Sequence, residues 1–269
     1  MTNPAVVLIT GVSSGIGRAV AELLAAQGCT VIGTVRQPAT AQALRGVELI
    51  SMDIRDERSV QEGVRQVIAR HGRIDVLINN AGVVLAGAVE ETTPEEAQAL
   101  FDTNVFGILR TARAVLPHMR ERRAGRIVNV SSVVGFLPAP YMGWYAASKH
   151  AVEGLSETLD HEVRQFGIRV VLVEPSFTQT HLGNNATPTA QQIGDYAAER
   201  GKAVTAIQAN IRDGTDVGTV AKVLAAAATG PYRMRQPAGG EATMLSILRR
   251  FMPAAPVDTN LRKKFGLGS

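Results

Sequence analysis

A single cysteine, Cys29, is all the chain has, which excludes an internal disulfide and any cysteine-based zinc cluster. The five histidines show no ligand spacing, so no metal site is expected. Aromatic residues make up only 4% of the chain, and Lys and Arg are scattered along helical patterns without clustering beside them. A net charge of +4 spread in that way excludes nucleic acid as an expected partner. No apolar run reaches the ~18 residues that suggest a membrane span. The start, Met1-Thr2-Asn3-Pro4, lacks the basic and then apolar pattern of a secretory signal, so a reducing, cytoplasmic setting with no membrane anchor is expected. Also missing are a Pro/Gly/Ser-rich linker, an internal repeat and a low-complexity tract. With 45% hydrophobic residues, the 269 residues are expected to form one domain.

What is present is alternation. Short, β-branched apolar runs at residues 5–10, 30–35, 47–51, 74–78, 126–130 and 168–173 read as strands covered on both faces. Helical patterns separate them, clearest at about residues 15–27, 56–71, 95–121 and 143–166, while the second crossover, near residues 38–44, is unusually short. A weaker strand is expected near residues 232–236. The alternation predicts an α/β fold, a doubly wound parallel sheet with helices on both faces and right-handed crossovers. Its ligand belongs at the carboxyl ends of the strands.

The first strand runs directly into Gly11-Val12-Ser13-Ser14-Gly15-Ile16-Gly17, and a helix begins there. Glycines let the backbone approach a pyrophosphate, and a helix start offers free N–H groups and a positive dipole end. A tight strand-to-helix turn would use Gly11, Gly15 and Gly17 as well, but the position after a first buried strand favours nucleotide binding. The spacing is T-G-x-x-x-G-x-G, not the G-x-G-x-x-G of ordinary dinucleotide domains.

Tyr145 and Lys149 stand four apart, on one face of a helix. A cation within about 4–6 Å stabilises a phenolate and lowers its pKa from ~10, toward the range where a tyrosine exchanges protons with a ketone or an alcohol. Alone, such a pair is commonplace on a solvated helix.

Together with Asn79-Asn80-Ala81-Gly82, Asn104 and Ser131-Ser132, these motifs resemble the short-chain dehydrogenase/reductase family over roughly residues 4–250. The parts follow the family's order and spacing, including a serine thirteen residues before the tyrosine. The resemblance implies a single Rossmann-type domain of about seven strands. It implies Tyr145 as the acid/base, Lys149 as the group that tunes it and binds ribose, Ser132 as the hydroxyl that orients a carbonyl, and Asn104 as the anchor of a proton relay through water. Ser131 is the alternative serine. Cofactor contacts are implied for Gly11, Ser13, Ser14, Gly15, Ile16 and Gly17, for Asn80, Ala81 and Gly82, for Tyr145 and Lys149, and for Pro175. Asp53 matches the family's adenine-contacting aspartate, although a helix cap would also use it. Thr180 matches the threonine at the nicotinamide carboxamide, with Thr178 as the alternative. Ser176 stands where the family usually has glycine, so the backbone there is expected to differ. His150 is read as structural, because adjacent helix positions point about 100° apart.

At the end of the second strand, Gly33-Thr34-Val35-Arg36 puts Val35 where an NAD-preferring protein has an acid. Arg36 suits a 2′-phosphate, so NADP(H) is the expected cofactor, with NAD(H) left open. The alternatives are that Arg36 is a solvated charge, and that the absence of a basic residue at Ser14 counts against the phosphate. Phe136, Leu137, Tyr141, Met142, Trp144 and Phe177 make a lipophilic pocket if they face inward, under a lid of about residues 181–214. The C-terminal extension, about residues 237–269, is similar to the branch of 17β-hydroxysteroid and retinol dehydrogenases. That implies a bulky apolar ketone or secondary alcohol. The basic tail Arg262-Lys263-Lys264 is expected to touch an anionic membrane only incidentally. A homodimer or homotetramer through residues 95–121 and 143–166 is implied by the family. Two other functions stay open: a redox sensor that holds NADP(H) without turnover, and an epimerase or dehydratase using the same tyrosine.

Overall fold

The computed structural model describes residues 4–180 and 187–267. Strands β1 (Val6–Thr10), β2 (Thr30–Val35), β3 (Val47–Ser51) and β4 (Val76–Asn79) come first, followed by a two-residue strand β5 (Leu85–Ala86). Strands β6 (Gly125–Val130), β7 (Ile168–Pro175), β8 (Thr187–Pro188) and β9 (Arg235–Ala238) complete the set. Seven of them form one parallel sheet in the order β3-β2-β1-β4-β6-β7-β9, while β5 and β8 pair separately. The direction of winding reverses between β1 and β4, which opens a crevice above their carboxyl ends.

The helices are α1 (Gly15–Ala26), α2 (Glu57–His71), α3 (Pro94–Phe101), α4 (Gly107–Arg122) and α5 (Gly143–Val163), then α6 (Ala197–Arg212), α7 (Val217–Thr229), α8 (Gly240–Phe251) and α9 (Ala254–Lys264). Strand periodicity assigns them to faces. Val7 and Ile9 of β1 point to one side, where they pack with Val20 and Leu24 of α1 and Leu224 of α7. Val6 and Leu8 point to the other, against Val60 and Val64 of α2 and Val115 of α4. Leu8, Ile9, Leu24 and Leu224 are fully buried, each stabilising the fold by about 1.5–3 kcal/mol. The second crossover is a single turn of 3₁₀ helix, Pro38–Thr40, as the short pattern there anticipates.

Two expectations are corrected. The helix over residues 95–121 is split by a widened π turn, Asp102–Phe106, between α3 and α4. The cause lies in Asn104, whose side chain bonds to the backbone of Val83 and draws the turn inward. The last strand lies at Arg235–Ala238, not at residues 232–236, because Tyr232 leaves the sheet to stack beneath the guanidinium of Arg169, 3.3 Å from its ring centre. Of the expected lid, residues 181–186 lie outside the described residues; the rest is β8, a short 3₁₀ turn and α6. No helix among the described residues is long and apolar enough to cross a membrane.

Candidate active site

A cleft of about 590 Å³ opens above the carboxyl ends of the strands, and every residue expected to hold a cofactor lines it. Its floor is the glycine turn. Gly11 has φ +72°, and a Cβ there would lie 2.9 Å from both Cα and Cβ of Ala81. A Cβ on Gly17 would sit 2.3 Å from Asn80 Nδ2 and from the Gly11 carbonyl oxygen, so nothing larger fits. Asn80 Nδ2 donates to the carbonyl oxygens of Thr10 and Gly11 at 3.0 and 2.9 Å, locking the end of β4 to the turn. The Thr10 hydroxyl accepts from the amides of Asn80 and Ala81 at 3.0 and 3.1 Å.

Ser14 caps α1 in an extended conformation but forms no side-chain cap bond, and the first turn carries no acid. By contrast, α2 is capped by Asp56 and α3 by a reciprocal Thr93–Glu96 box. The positive end of α1 thus faces the cleft without an anionic side chain of its own. Close backbone approach and unsatisfied helix donors are what a dinucleotide diphosphate requires, so the residues present fit one.

At the far end lie Arg36, Asp53 and Arg55. Arg36 is exposed just beyond β2 and joins none of the salt bridges among the described residues. Asp53 does not cap α2, since Asp56 does. Its carboxylate instead accepts from the Arg55 amide and from Nε and a terminal nitrogen of the Arg55 guanidinium at 3.0, 3.1 and 2.8 Å. That chelation holds the Asp53 carboxyl below its ordinary pKa despite partial burial. Arg55 escapes a sequence reading; the only signal is its place two residues after Asp53, within reach of that carboxylate across a tight turn.

The catalytic candidates converge at the near end. Tyr145 and Lys149 are buried on one face of α5, with Lys149 Nζ 5.8 Å from the Tyr145 ring centre. The Ser132 hydroxyl hydrogen-bonds to Tyr145 and donates to the Pro175 carbonyl at 3.2 Å. Ser131, the alternative, is buried with its Oγ unpartnered, and a Cβ on Gly135 would crowd both it and Glu153. Asn104 is brought to the back of the site and not to its wall: Oδ1 accepts from the Val83 amide at 2.9 Å, and Nδ2 donates to Val83 O and Ser148 Oγ at 2.9 and 3.1 Å. It fixes the backbone just after Gly82 relative to α5.

The expected depression of the Tyr145 phenol is not found. Burial pushes it up to about 12, only partly offset by the Ser132 hydrogen bond. Lys149 is itself brought down to about 8 by burial, partly opposed by Glu153, and its ammonium donates to the Val130 carbonyl at 2.8 Å. A cation that is hard to keep charged and engaged elsewhere cannot outweigh the desolvation of the phenol.

Around this centre, Ser176 needs no left-handed backbone, since Arg123 and Tyr141 are the only non-glycine residues with positive φ among those described. Its hydroxyl lies 3.4 Å from Thr215 Oγ1. Pro175, Thr178 and Thr180 line the cleft, and Thr180 lies beside Gly15, within 3.6 Å of a Cβ built there. Tyr141 takes φ +58° at the entrance to α5, held by the Gly87 amide bonding to its carbonyl at 2.8 Å. His150 Nδ1 lies 2.9 Å from the Ala146 carbonyl, and His150 is not on the cleft wall.

Of the six apolar residues expected to form a pocket, only Met142 and Phe177 line the cleft. Phe136, Tyr141 and Trp144 pack behind the wall, in the apolar cluster that holds Met142 and Tyr145, with Trp144 edge-on to Phe101 at 6.3 Å, and Leu137 is buried. The apolar wall comes instead from Val84, Val133 and Val134, with Ile207 and Ile211 of α6. The last two stand four apart on α6, a pattern legible once that helix is placed.

Residues 5–191 match the short chain dehydrogenase family. A 3-ketodihydrosphingosine reductase from Bacteroides thetaiotaomicron is 42% identical over 214 residues, 79% of each chain. The crystal structure of a short-chain dehydrogenase from Streptomyces avermitilis superposes with a TM-score of 0.83 at 37% identity, covering 98% of both chains. A short-chain dehydrogenase/reductase from Burkholderia phymatum, in complex with NAD, gives a TM-score of 0.79 at 28% identity over 92% of this chain and 93% of its own.

Proposed function

From the premise that this chain belongs to the short-chain dehydrogenase/reductase family, we propose that it is an NADP(H)-dependent oxidoreductase that interconverts a bulky, apolar ketone or aldehyde with its alcohol. The observation that carries this is the meeting, in one cleft, of a buried proton donor with its hydroxyl partner, Tyr145 and Ser132, and the start of α1, where Ser14 makes no side-chain cap bond. The nicotinamide cofactor supplies the hydride when bound. Ser132 then orients the substrate oxygen, and Tyr145, protonated at neutral pH, gives its proton to that oxygen as charge develops there. Lys149 sits beside the phenol as a cation and would hold the ribose of a bound cofactor, while Asn104 keeps the turn after Gly82 in register with α5. In oxidation the proton moves the other way.

Arg36 and the absence of an acid at Val35 support NADP(H) over NAD(H). The wall of Val84, Val133, Val134, Ile207, Ile211 and Met142 supports an apolar substrate, and the Bacteroides relative directs the first assays to long-chain ketones such as 3-ketodihydrosphingosine. Exposed Phe106, Leu109 and Leu155, on the π turn, α4 and α5, support a homodimer or homotetramer through those helices. The single cysteine supports a reducing, cytoplasmic setting. A sensor that never turns over would need the cleft but not the Tyr145, Ser132 and Lys149 constellation.

The test follows consumption of NADPH and NADH with long-chain, steroid, retinoid and small aliphatic carbonyls. Turnover is expected with NADPH, and Tyr145→Phe should lower kcat by about 10²–10⁴ with cofactor binding retained. Tight NADPH binding without turnover on any carbonyl or alcohol would refute the oxidoreductase in favour of the sensor.

A further inference from the structure

The C-terminal helices fold back on each other: Glu241, in the first turn of α8, pairs with Lys264 at the end of α9. One side of this hairpin is committed to the core. Ala242 is fully buried, and Leu245 and Leu261 pack, with Phe265 and Leu267, into the cluster that holds Met142 and Tyr145. The Phe265 ring lies 6.3 Å from that of Phe177, on the cleft wall.

The other side of α8 is apolar as well and faces outward. Met244, Ile247, Leu248 and Phe251 recur at helical spacing and are 52, 57, 37 and 76% exposed. The apolar surface continues round the corner into α9, where Pro253, Ala254, Ala255 and Pro256 are all exposed. The segment carrying it is positive on balance. Residues 237–269 hold five Lys and Arg against two Asp and Glu, so three of the chain's four net positive charges lie in this segment. Lys263 is exposed on α9, while Arg249 reaches back on the core side of α8, its Nε donating to the Phe136 carbonyl at 3.1 Å.

The size and sign of this face choose its occupant. A twelve-residue helix is ~18 Å long and ~10 Å across, so the stripe offers on the order of 200 Å², well short of the ~800 Å² each partner gives to a stable protein interface. Two copies meeting there would also bring their positive charges together. A lipid surface needs no matching shape, rewards each apolar side chain that enters it and attracts a basic rim when its headgroups are anionic.

We propose that the α8–α9 hairpin docks in the plane of an anionic lipid bilayer, with Met244, Ile247, Leu248 and Phe251 in the headgroup–acyl boundary and Lys263 against lipid phosphates. The incidental contact expected of the basic tail alone becomes a built surface once the stripe on α8 joins it. The docking rests on that face and not on the substrate; if the substrate is apolar, the hairpin also sets the wall of its cleft beside the phase in which it dissolves.

Sedimentation of the full chain with vesicles of phosphatidylcholine, alone or with about a third phosphatidylglycerol, tests this. Binding is expected with the anionic vesicles only, weakened by high salt, and Ile247→Asp/Phe251→Asp should lower the partition at least about tenfold with melting temperature unchanged. Lys263→Glu should weaken it less, and only at low salt. No binding to anionic vesicles, or equal binding by the double variant, would overturn the proposal. So would a dimer that the double variant dissociates in the absence of vesicle binding, which would make the stripe a self-contact. None of these readouts depends on turnover, so failure here is separable from failure of the proposed reaction.

Discussion

Lys149 Nζ donates to the carbonyl oxygen of Val130 at 2.8 Å, across the gap between α5 and the end of β6. The bond holds the amine in the cleft, but burial lowers its pKa to about 8 while Tyr145 stays protonated up to about 12. As pH rises through about 8 the cation is lost long before the phenol ionises. Reductive kcat/KM should therefore be flat below that value and fall above it, approaching tenfold per pH unit. A profile level to pH 10 would show that Lys149 keeps its proton by other means.

The same burial makes Lys149 a cost to the cofactor-free fold. Its folded pKa lies below the unfolded one, so stability is greatest where both states are neutral and declines as pH falls from about 10.5 to about 8. Lys149→Met should remove that slope and stabilise the free protein near neutrality by up to about 3 kcal/mol, while greatly reducing turnover. Thermal melts at pH 7 and 10 measure the first effect.

Much of this site is legible in the sequence, for a physical reason. The glycine turn, Asn80 and Gly82 answer to backbone packing, and backbone requirements leave a strict residue spacing. What was hidden depends on packing between distant segments. Asn104 is spaced like a helical residue, yet its bonds to Val83 open a π turn that breaks the helix. Trp144 reads as a pocket residue by proximity to Tyr145 in sequence, whereas adjacent positions on α5 point in different directions. The phenol's pKa was misjudged because charge proximity shows in a spacing and desolvation does not.

Gly17→Ala should separate cofactor binding from the rest of the fold. A methyl there meets Asn80 Nδ2 and the Gly11 carbonyl at 2.3 Å, so the turn and the end of β4 must part. Overpacking of this kind costs about 1–3 kcal/mol, and NADPH affinity should fall at least about tenfold more than the stability loss accounts for. Calorimetric titration beside a melting curve gives both numbers.

Asp160 has no exposed side-chain surface and accepts from Arg164, Arg169 and the Val170 amide. Burial alone would raise its pKa, but Arg169, the amide and Arg164 outweigh it and bring the group down to about 2. Its contribution is present above the unfolded carboxylate range and lost as pH falls through about 2. Asp160→Ala leaves two guanidinium groups and an amide without their acceptor, and should cost about 3–5 kcal/mol at pH 7 by urea denaturation, with the difference from wild type shrinking in acid.

At the far end of the cleft two arginines are held differently. Arg55 is chelated to Asp53 and serves that carboxylate first, whereas Arg36, exposed at the end of β2, joins no salt bridge among the described residues. If Arg36 supplies the phosphate contact, Arg36→Glu both removes a charge-assisted hydrogen bond and adds repulsion. The ratio of kcat/KM for NADPH to that for NADH should then drop by about 10²-fold or more, with NADH turnover kept. Arg55→Ala should change the ratio little and weaken both cofactors together, because it frees Asp53 to reorient at the adenine end. A larger effect on the ratio from Arg55 than from Arg36 would reassign the phosphate contact to the residue that the sequence did not point to.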